Sequence, residues 1–376
     1  MEKMNKIFLR FYSPTLVALR NRREQQKKPQ SAWKFVFGEI TMALLDAIAD
    51  VKHAKLHIGL ESIFEMENIS RENARIKAKN LNETLLNLIT FVTSSPCKSA
   101  KLLDIIESGR KGNPLHRGNV FDPAPESQLW GSVKVIKQQE FGETFEAYKK
   151  SKYQQRIMRV LSWFRKGLDE ENIIDEFISY WIAIEVLRGI LRHKLCFKMR
   201  NPKEWDGVKR IFEEKLNFYQ FSDIKNARDS LLHGFRELST DFVQEIENNY
   251  LVPSRKAVIF AIGDILGLEE NLLITLAGQN PRRVRSVPWQ VIEGHLEGFT
   301  ASSLDEIINK SFPTVSMESK QVTYRIDKNG KLSVNIKARH IFKGPPGAKQ
   351  HIEAIEQWGD KEAGIDSVNI ENIKRT

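Results

Sequence analysis

From Ser151 onward the apolar residues recur on a helical period, and that regularity constrains the chain more than any other feature. Ile173, Phe177, Tyr180, Ile184, Leu187 and Leu191 form one stripe, while Trp181, Glu185, Arg188 and Arg192 line a neighbouring face. Such a stripe has to be covered by other helices. Phe221 to Ser239, FSDIKNARDSLLHGFRELS, reads as a second amphipathic helix. Ile224, Ala227, Leu231 and Phe235 make its apolar stripe with Leu232 on the edge, and Asn226, Asp229 and His233 fall on the opposite face. Arg228 sits beside the apolar stripe, where a charge has to be paired or reach a cleft. Glu185 is its candidate partner if the two helices pack. Asp229 precedes His233 by one helical turn, the spacing at which a carboxylate orients an imidazole. Arg228 and His233 diverge by about 140° on an ideal helix. Either the helix unwinds near Gly234, or two copies of the chain share one site.

These residues resemble a known family. Arg228-Asp229-Ser230-Leu231-Leu232-His233 is similar to the R-polar-x3-H motif of HEPN domains, helical domains of many prokaryotic toxins and defence ribonucleases. Upstream, Phe177, Trp181, Ala183, Glu185 and Leu187 are similar to the F-x3-W-x-A-x-E-x-L helix of the Apea-like HEPN subgroup. The resemblance spans residues 151 to 278. It implies a metal-independent endoribonuclease of prokaryotic defence or of a toxin system, working as a homodimer and leaving 2′,3′-cyclic phosphate ends. Its catalytic residues are then His233 as acid/base, Arg228 as phosphate clamp and Asp229 as orienter, with Glu185 and Asn226 in support. An antitoxin or a phage-derived activator is the implied partner. The family also contains non-catalytic dimerisation and binding scaffolds, and Asp229 stands where asparagine is common.

The residue types suit that chemistry independently. Removing the proton from a ribose 2′-OH needs a base that titrates near neutrality, which imidazole supplies. A guanidinium stabilises the charge that builds on phosphorus-bound oxygens. No phosphate-binding loop, dinucleotide fingerprint, zinc-protease helix or nucleophile elbow is present. Cys97 and Cys196 lie far apart without metal-ligand spacing, so neither a metal nor another cofactor is expected, and a reducing cytoplasm is. The N-terminus lacks a secretory apolar core, and no apolar run approaches the roughly 18 residues of a membrane span. A net charge of +10 favours polyanions. Arg188, Arg192, Lys194, Lys198 and Arg200 concentrate that charge near the motif and are the candidate RNA contacts.

The expected fold is mainly α, a central helical bundle flanked by an N-terminal α+β domain and a C-terminal β-hairpin extension. Residues 1–150 form the first domain, with short strands at Lys6–Tyr12, Trp33–Phe37 and Ala54–Ile63. A helix follows from Ser70, its N-cap, to Phe91, with Ala74, Ile76 or Ala78, Leu81, Leu85 and Leu88 inward. Gly109 to Ser127 reads as a linker carrying His116 and Arg117. Residues 151–278 form the bundle, closed by one helix over Arg255 to Leu276. In residues 279–376, Gln321 to Phe342 is a hairpin about Asn329-Gly330, and the last 34 residues read as a charged, partly irregular tail.

Overall fold

The computed structural model describes residues 6–20, 32–51, 54–107, 113–120, 133–234, 236–280, 289–297, 303–309, 314–326, 332–343, 349–358 and 365–372. Two compact units result. One gathers Met1–Glu83, Lys98–Val133 and Arg285–Thr376; the other gathers Thr84–Cys97 and Lys134–Val284. The expected boundaries at 150 and 278 therefore move to 133 and 284, and the first and last segments of the chain belong to a single unit rather than to two domains.

The first unit is built of strands. β1 (Lys6–Pro14), β2 (Trp33–Phe37), β3 (Ile40–Val51), β4 (Ala54–Glu67) and β5 (Lys101–Glu107) form an antiparallel sheet in the order β2-β3-β4-β1-β5. β1 reads as continuous apolar sequence because both its faces are buried: Ile7, Phe8, Leu9, Phe11 and Tyr12 are all core residues. β3 is absent from the sequence expectation. Its segment ITMALLDAIADV is rich in alanine and leucine, which favour helix, and pairing with β2 on one side and β4 on the other overrides that preference. β6 (Asn113–Val120) lies inside the expected linker and pairs antiparallel with β7 (Trp289–Glu297), setting His116 and Arg117 opposite Glu293 and Ile292. The rest of that linker lies outside the described residues.

The expected hairpin is present as β8 (Thr314–Ile326) and β9 (Leu332–Lys343), with Val322 opposite Ile336. Its Asn329-Gly330 turn lies outside the described residues. The final segment is not the irregular tail expected: β10 (Lys349–Trp358) pairs antiparallel with β7, and β11 (Ile365–Asn372) runs parallel to β9. These partners are distant in sequence, so no local pattern announces them. α1 (Arg71–Thr93) starts after Ser70, whose hydroxyl accepts from Asn73 N at 3.4 Å. Ala74, Ala78, Leu81, Leu85 and Leu88 are buried, whereas Ile76 is exposed, which settles the inward position on Ala78. The division between the units passes through this helix, after Glu83.

The second unit is helical, so the mainly α expectation holds at this coarse level. It contains α2 (Gln138–Lys150), α3 (Gln154–Asp169), α4 (Ile173–Leu195), α5 (Asp206–Arg210, prolonged by a π turn over Ile211–Lys215), α6 (Phe221–His233), α7 (Thr240–Glu245), α8 (Val252–Leu266) and α9 (Glu270–Ala277). A π segment, Ile246–Leu251, joins α7 to α8. Asn172 caps α4, its side chain accepting from Ile174 N at 2.8 Å and Asp175 N at 3.3 Å. Phe177, Tyr180, Ile184, Leu187 and Leu191 are buried as the stripe requires. The single helix expected over Arg255 to Leu276 is two, because Gly267 takes a left-handed conformation, φ +71°, and closes α8. Among the described residues no helix is long and apolar enough to cross a membrane.

Two glycines have opposite consequences. A Cβ on Gly207, at the start of α5, would lie 2.5 Å from the backbone of Leu191 and Arg192, so α5 can approach α4 only without a side chain there. Gly189, within α4, faces open space. Gly207→Ala is expected to lower stability by about 1–3 kcal/mol through overpacking, whereas Gly189→Ala should raise it by about 0.5–1 kcal/mol through helix propensity. Thermal melts of the two variants check both signs.

Candidate functional site

The motif helix α6 is seated by aromatic rings. Phe221, at its first turn, stacks on Trp181 of α4 at 6.2 Å between centroids. Trp205 lies 6.1 Å and Phe212 5.4 Å from the same ring. Phe221, Ile224 and Ala227 are buried, and they fix which face of the helix turns inward. Beyond Ala227 the burial fades, contrary to the expected stripe: Leu231 is half-buried and Leu232 is 50% exposed. Phe235, the fourth stripe position, lies outside the described residues.

The misfit Arg228 is paired as its position demands. Nη2 donates to Glu185 Oε1 of α4, and Nη1 donates to Asp229 Oδ1 at 2.6 Å. Glu185 Oε1 also accepts from Trp181 Nε1 at 3.3 Å, so the tryptophan that seats Phe221 also orients the carboxylate that takes Arg228. The upstream pattern thereby acquires physical roles. Phe177, Ala183 and Leu187 are fully buried packing residues, Trp181 seats the helix, and Glu185 holds the arginine. Arg228 Nε is buried and finds no hydrogen-bond partner among the described residues.

Asp229 also accepts from Lys225 Nζ at 3.0 Å, a contact one helical turn back that the sequence expectation does not include. Burial alone would raise the Asp229 carboxyl, but the hydrogen bonds from Arg228 and Lys225 outweigh it and hold the group below its ordinary value of 3.8. The structure thus brings Glu185, Arg228 and Asp229 together and adds Lys225. Asn226 is exposed. His233 is exposed and is the last residue of α6, because Gly234 adopts φ +66° and ends the helix there. The helix is regular through His233 and ends there, so Arg228 and His233 keep their divergence along one helix.

The expected basic run divides into two groups. Arg188 pairs with Glu204 at 2.5 Å and lies 4.7 Å over the Trp205 ring, while Lys194 donates to the Asp264 carbonyl. Those two cations are occupied internally, so only part of the run is available to a polyanion. Lys198 and Arg200 are exposed, and Arg192 is half-buried in the wall of a cleft. That cleft, about 620 Å³, is bounded by α3 and α4, with Arg156 and Arg159 from the former and Glu185, Arg188 and Arg192 from the latter. Sequence reasoning misses Arg156 and Arg159. Their available signal is a turn-spaced basic pair off the buried face of α3, which carries Ile157, Val160, Leu161 and Phe164.

Among the described residues no three His, Cys, Asp or Glu side chains gather as metal ligands would, and the two cysteines are buried and not joined in a disulfide. Known proteins supply no relative: no family profile, no curated protein and no solved structure matches the chain.

The lowered Asp229 fixes a sign for pH dependence. A carboxyl depressed in the folded state contributes fully above its ordinary value and loses that contribution as pH falls through the folded value. The stability advantage of the native protein over Asp229→Asn is therefore expected to be full at pH 7 and to shrink on acidification below about 3.8. Denaturant titrations across that range measure it, and an advantage that grows with acid contradicts the assignment.

Proposed function

We propose that the helical unit is a HEPN bundle of the Apea-like kind and that the protein is a metal-independent endoribonuclease of a prokaryotic defence or toxin system. The observation that carries this reading is Glu185 of the upstream pattern meeting Arg228 of the R-x4-H motif, two signatures distant in sequence that meet in one ion pair. In this reaction His233 takes the 2′-OH proton, the freed oxygen attacks the adjacent phosphorus, and the 5′-oxygen leaves with a proton. Arg228 counters the charge on the phosphoryl oxygens. Asp229, tied to Arg228 and Lys225, positions the arginine; its expected role as orienter of His233 is secondary to that. Asn226 keeps a supporting place on the exposed face, and Arg192, Lys198 and Arg200 hold RNA more than Arg188 and Lys194 do. An antitoxin or a phage-derived activator completes the proposed system, in the cytoplasm.

A homodimer belongs to the same proposal. Arg228 is turned onto α4 while His233 sits exposed at the helix end, and Leu232 before it and Leu238 five residues on are 50% and 65% exposed. Apolar side chains of that exposure suit a two-fold contact that brings a second copy to the histidine. Light scattering is expected to give a dimer at micromolar concentration, and a strict monomer with full activity contradicts this part.

A second reading has its own support. Both terminal nitrogens of Arg228 are engaged by carboxylates, so its charge is already met within the chain. That state favours a non-catalytic dimerisation or RNA- or protein-binding scaffold.

Labelled RNA separates the two readings. Cleavage should persist in EDTA, spare DNA, and spare RNA methylated at the 2′-OH of the cut, giving a cyclic phosphate and a free 5′-OH. His233→Ala should abolish it while changing stability by about 0.5 kcal/mol or less, as at other exposed positions. Cutting of DNA, or loss on chelation with rescue by Mg²⁺, refutes the mechanism. Absence of cleavage on any RNA selects the scaffold.

A further inference from the structure

The cleft between α3 and α4 carries more positive charge than its own carboxylates neutralise. Glu204 is taken by Arg188, and Glu185 by Arg228 and Trp181. Arg156, Arg159 and Arg192 have no carboxylate within ion-pair distance among the described residues. Three like charges facing one concavity repel one another and give it a positive potential that an entering anion meets. The first turn of α3, with Gln155 and Arg156, opens onto the same space, and no side chain caps that helix. Its dipole therefore adds to the positive potential.

The wall between Arg188 and Arg192 is open because residue 189 is glycine. A Cβ there would meet nothing within 4 Å. A glycine in mid-helix is less favourable than alanine, and the space it leaves belongs to the cleft. The volume, about 620 Å³, is in the range of small-ligand sites.

We propose that this cleft binds a terminal polyphosphate, carried either by a nucleoside di- or triphosphate or by the 5′ end of an RNA. A polyphosphate concentrates its charges on adjacent groups, matching clustered arginines that each offer paired N–H donors. A phosphodiester backbone spaces its charges singly and leaves such a cluster poorly matched. The base finds no ring to stack on, since no aromatic side chain is among the described residues that line the cleft. ATP and GTP therefore bind alike. The inference does not rest on the ribonuclease reading, because its readout is binding rather than cleavage.

Calorimetric titration of the full chain tests it, with ATP, GTP, tripolyphosphate, 5′-triphosphorylated RNA and the same RNA bearing a 5′-hydroxyl. Saturable binding of ATP, GTP and tripolyphosphate, stronger than that of the 5′-hydroxyl RNA, is expected and assigns the site to free nucleotides. Saturable binding of the triphosphorylated RNA alone supports the same site with the RNA end as its source. Arg156→Glu/Arg159→Glu, at two exposed side chains, should weaken binding by about tenfold or more, and Gly189→Leu should do so by filling the wall. Lys77→Glu, an exposed position on α1, should leave binding unchanged. Absence of saturable binding by every polyphosphate, or an equal loss in Lys77→Glu, overturns the proposal.

Discussion

The ion pair between Glu185 and Arg228 is the contact on which the candidate site depends. An arginine beside an apolar stripe cannot be left unpaired at the helix–helix contact, because desolvating a lone guanidinium costs far more than the burial around it returns. Glu185 meets that requirement, and Trp181 holds Glu185 in place while its ring receives Phe221. One tryptophan thus sets both the seat of α6 and the orientation of its charged partner. The pair is partly solvated, with side-chain exposures of 17% and 25%, so water screens some of its strength. It acts chiefly to choose one rotation of α6 about its own axis.

That rotation decides what the rest of the motif presents. With Phe221, Ile224 and Ala227 inward, Asn226 is left exposed, Asp229 turns back onto Arg228 and Lys225, and His233 emerges at the exposed end. Gly234 closes the helix behind the histidine and leaves Leu232 and Leu238 uncovered nearby. Glu185 also lines the arginine-rich cleft, so one carboxylate belongs both to the motif ion pair and to that concentration of positive charge. The two regions share α4, with Glu185 in both; α6 completes the first and α3 the second.

Much of the helical unit is legible in the sequence because its information is local. The stripe on α4 and the misfit of Arg228 each follow from spacing within one element, as does the Ser70 cap of α1 in the first unit. The Glu185 partner follows once two helices are assumed to touch. What sequence hides is set by distant partners. β3, rich in alanine and leucine, does not read as a strand until β2 and β4 pair with its backbone, β6 reads as linker until β7 pairs with it, and β11 depends on a parallel neighbour upstream. Within the site, Arg156 and Arg159 look like ordinary surface charge until α3 is placed against α4. Arg188 and Lys194 look available until Glu204 and the Asp264 carbonyl occupy them. Leu231 and Leu232 fit an apolar stripe by period, yet α6 runs past the body that would cover them.

The central claim is that Glu185 and Arg228 act as one unit. A double-mutant cycle measures this directly: unfolding free energies of the native protein, Glu185→Gln, Arg228→Gln and the double variant, all at pH 7. Strong non-additivity is expected, a coupling of about 0.5–3 kcal/mol, with the second substitution costing much less once the first is present. Additive losses, each residue costing the same whether or not its partner remains, would contradict it.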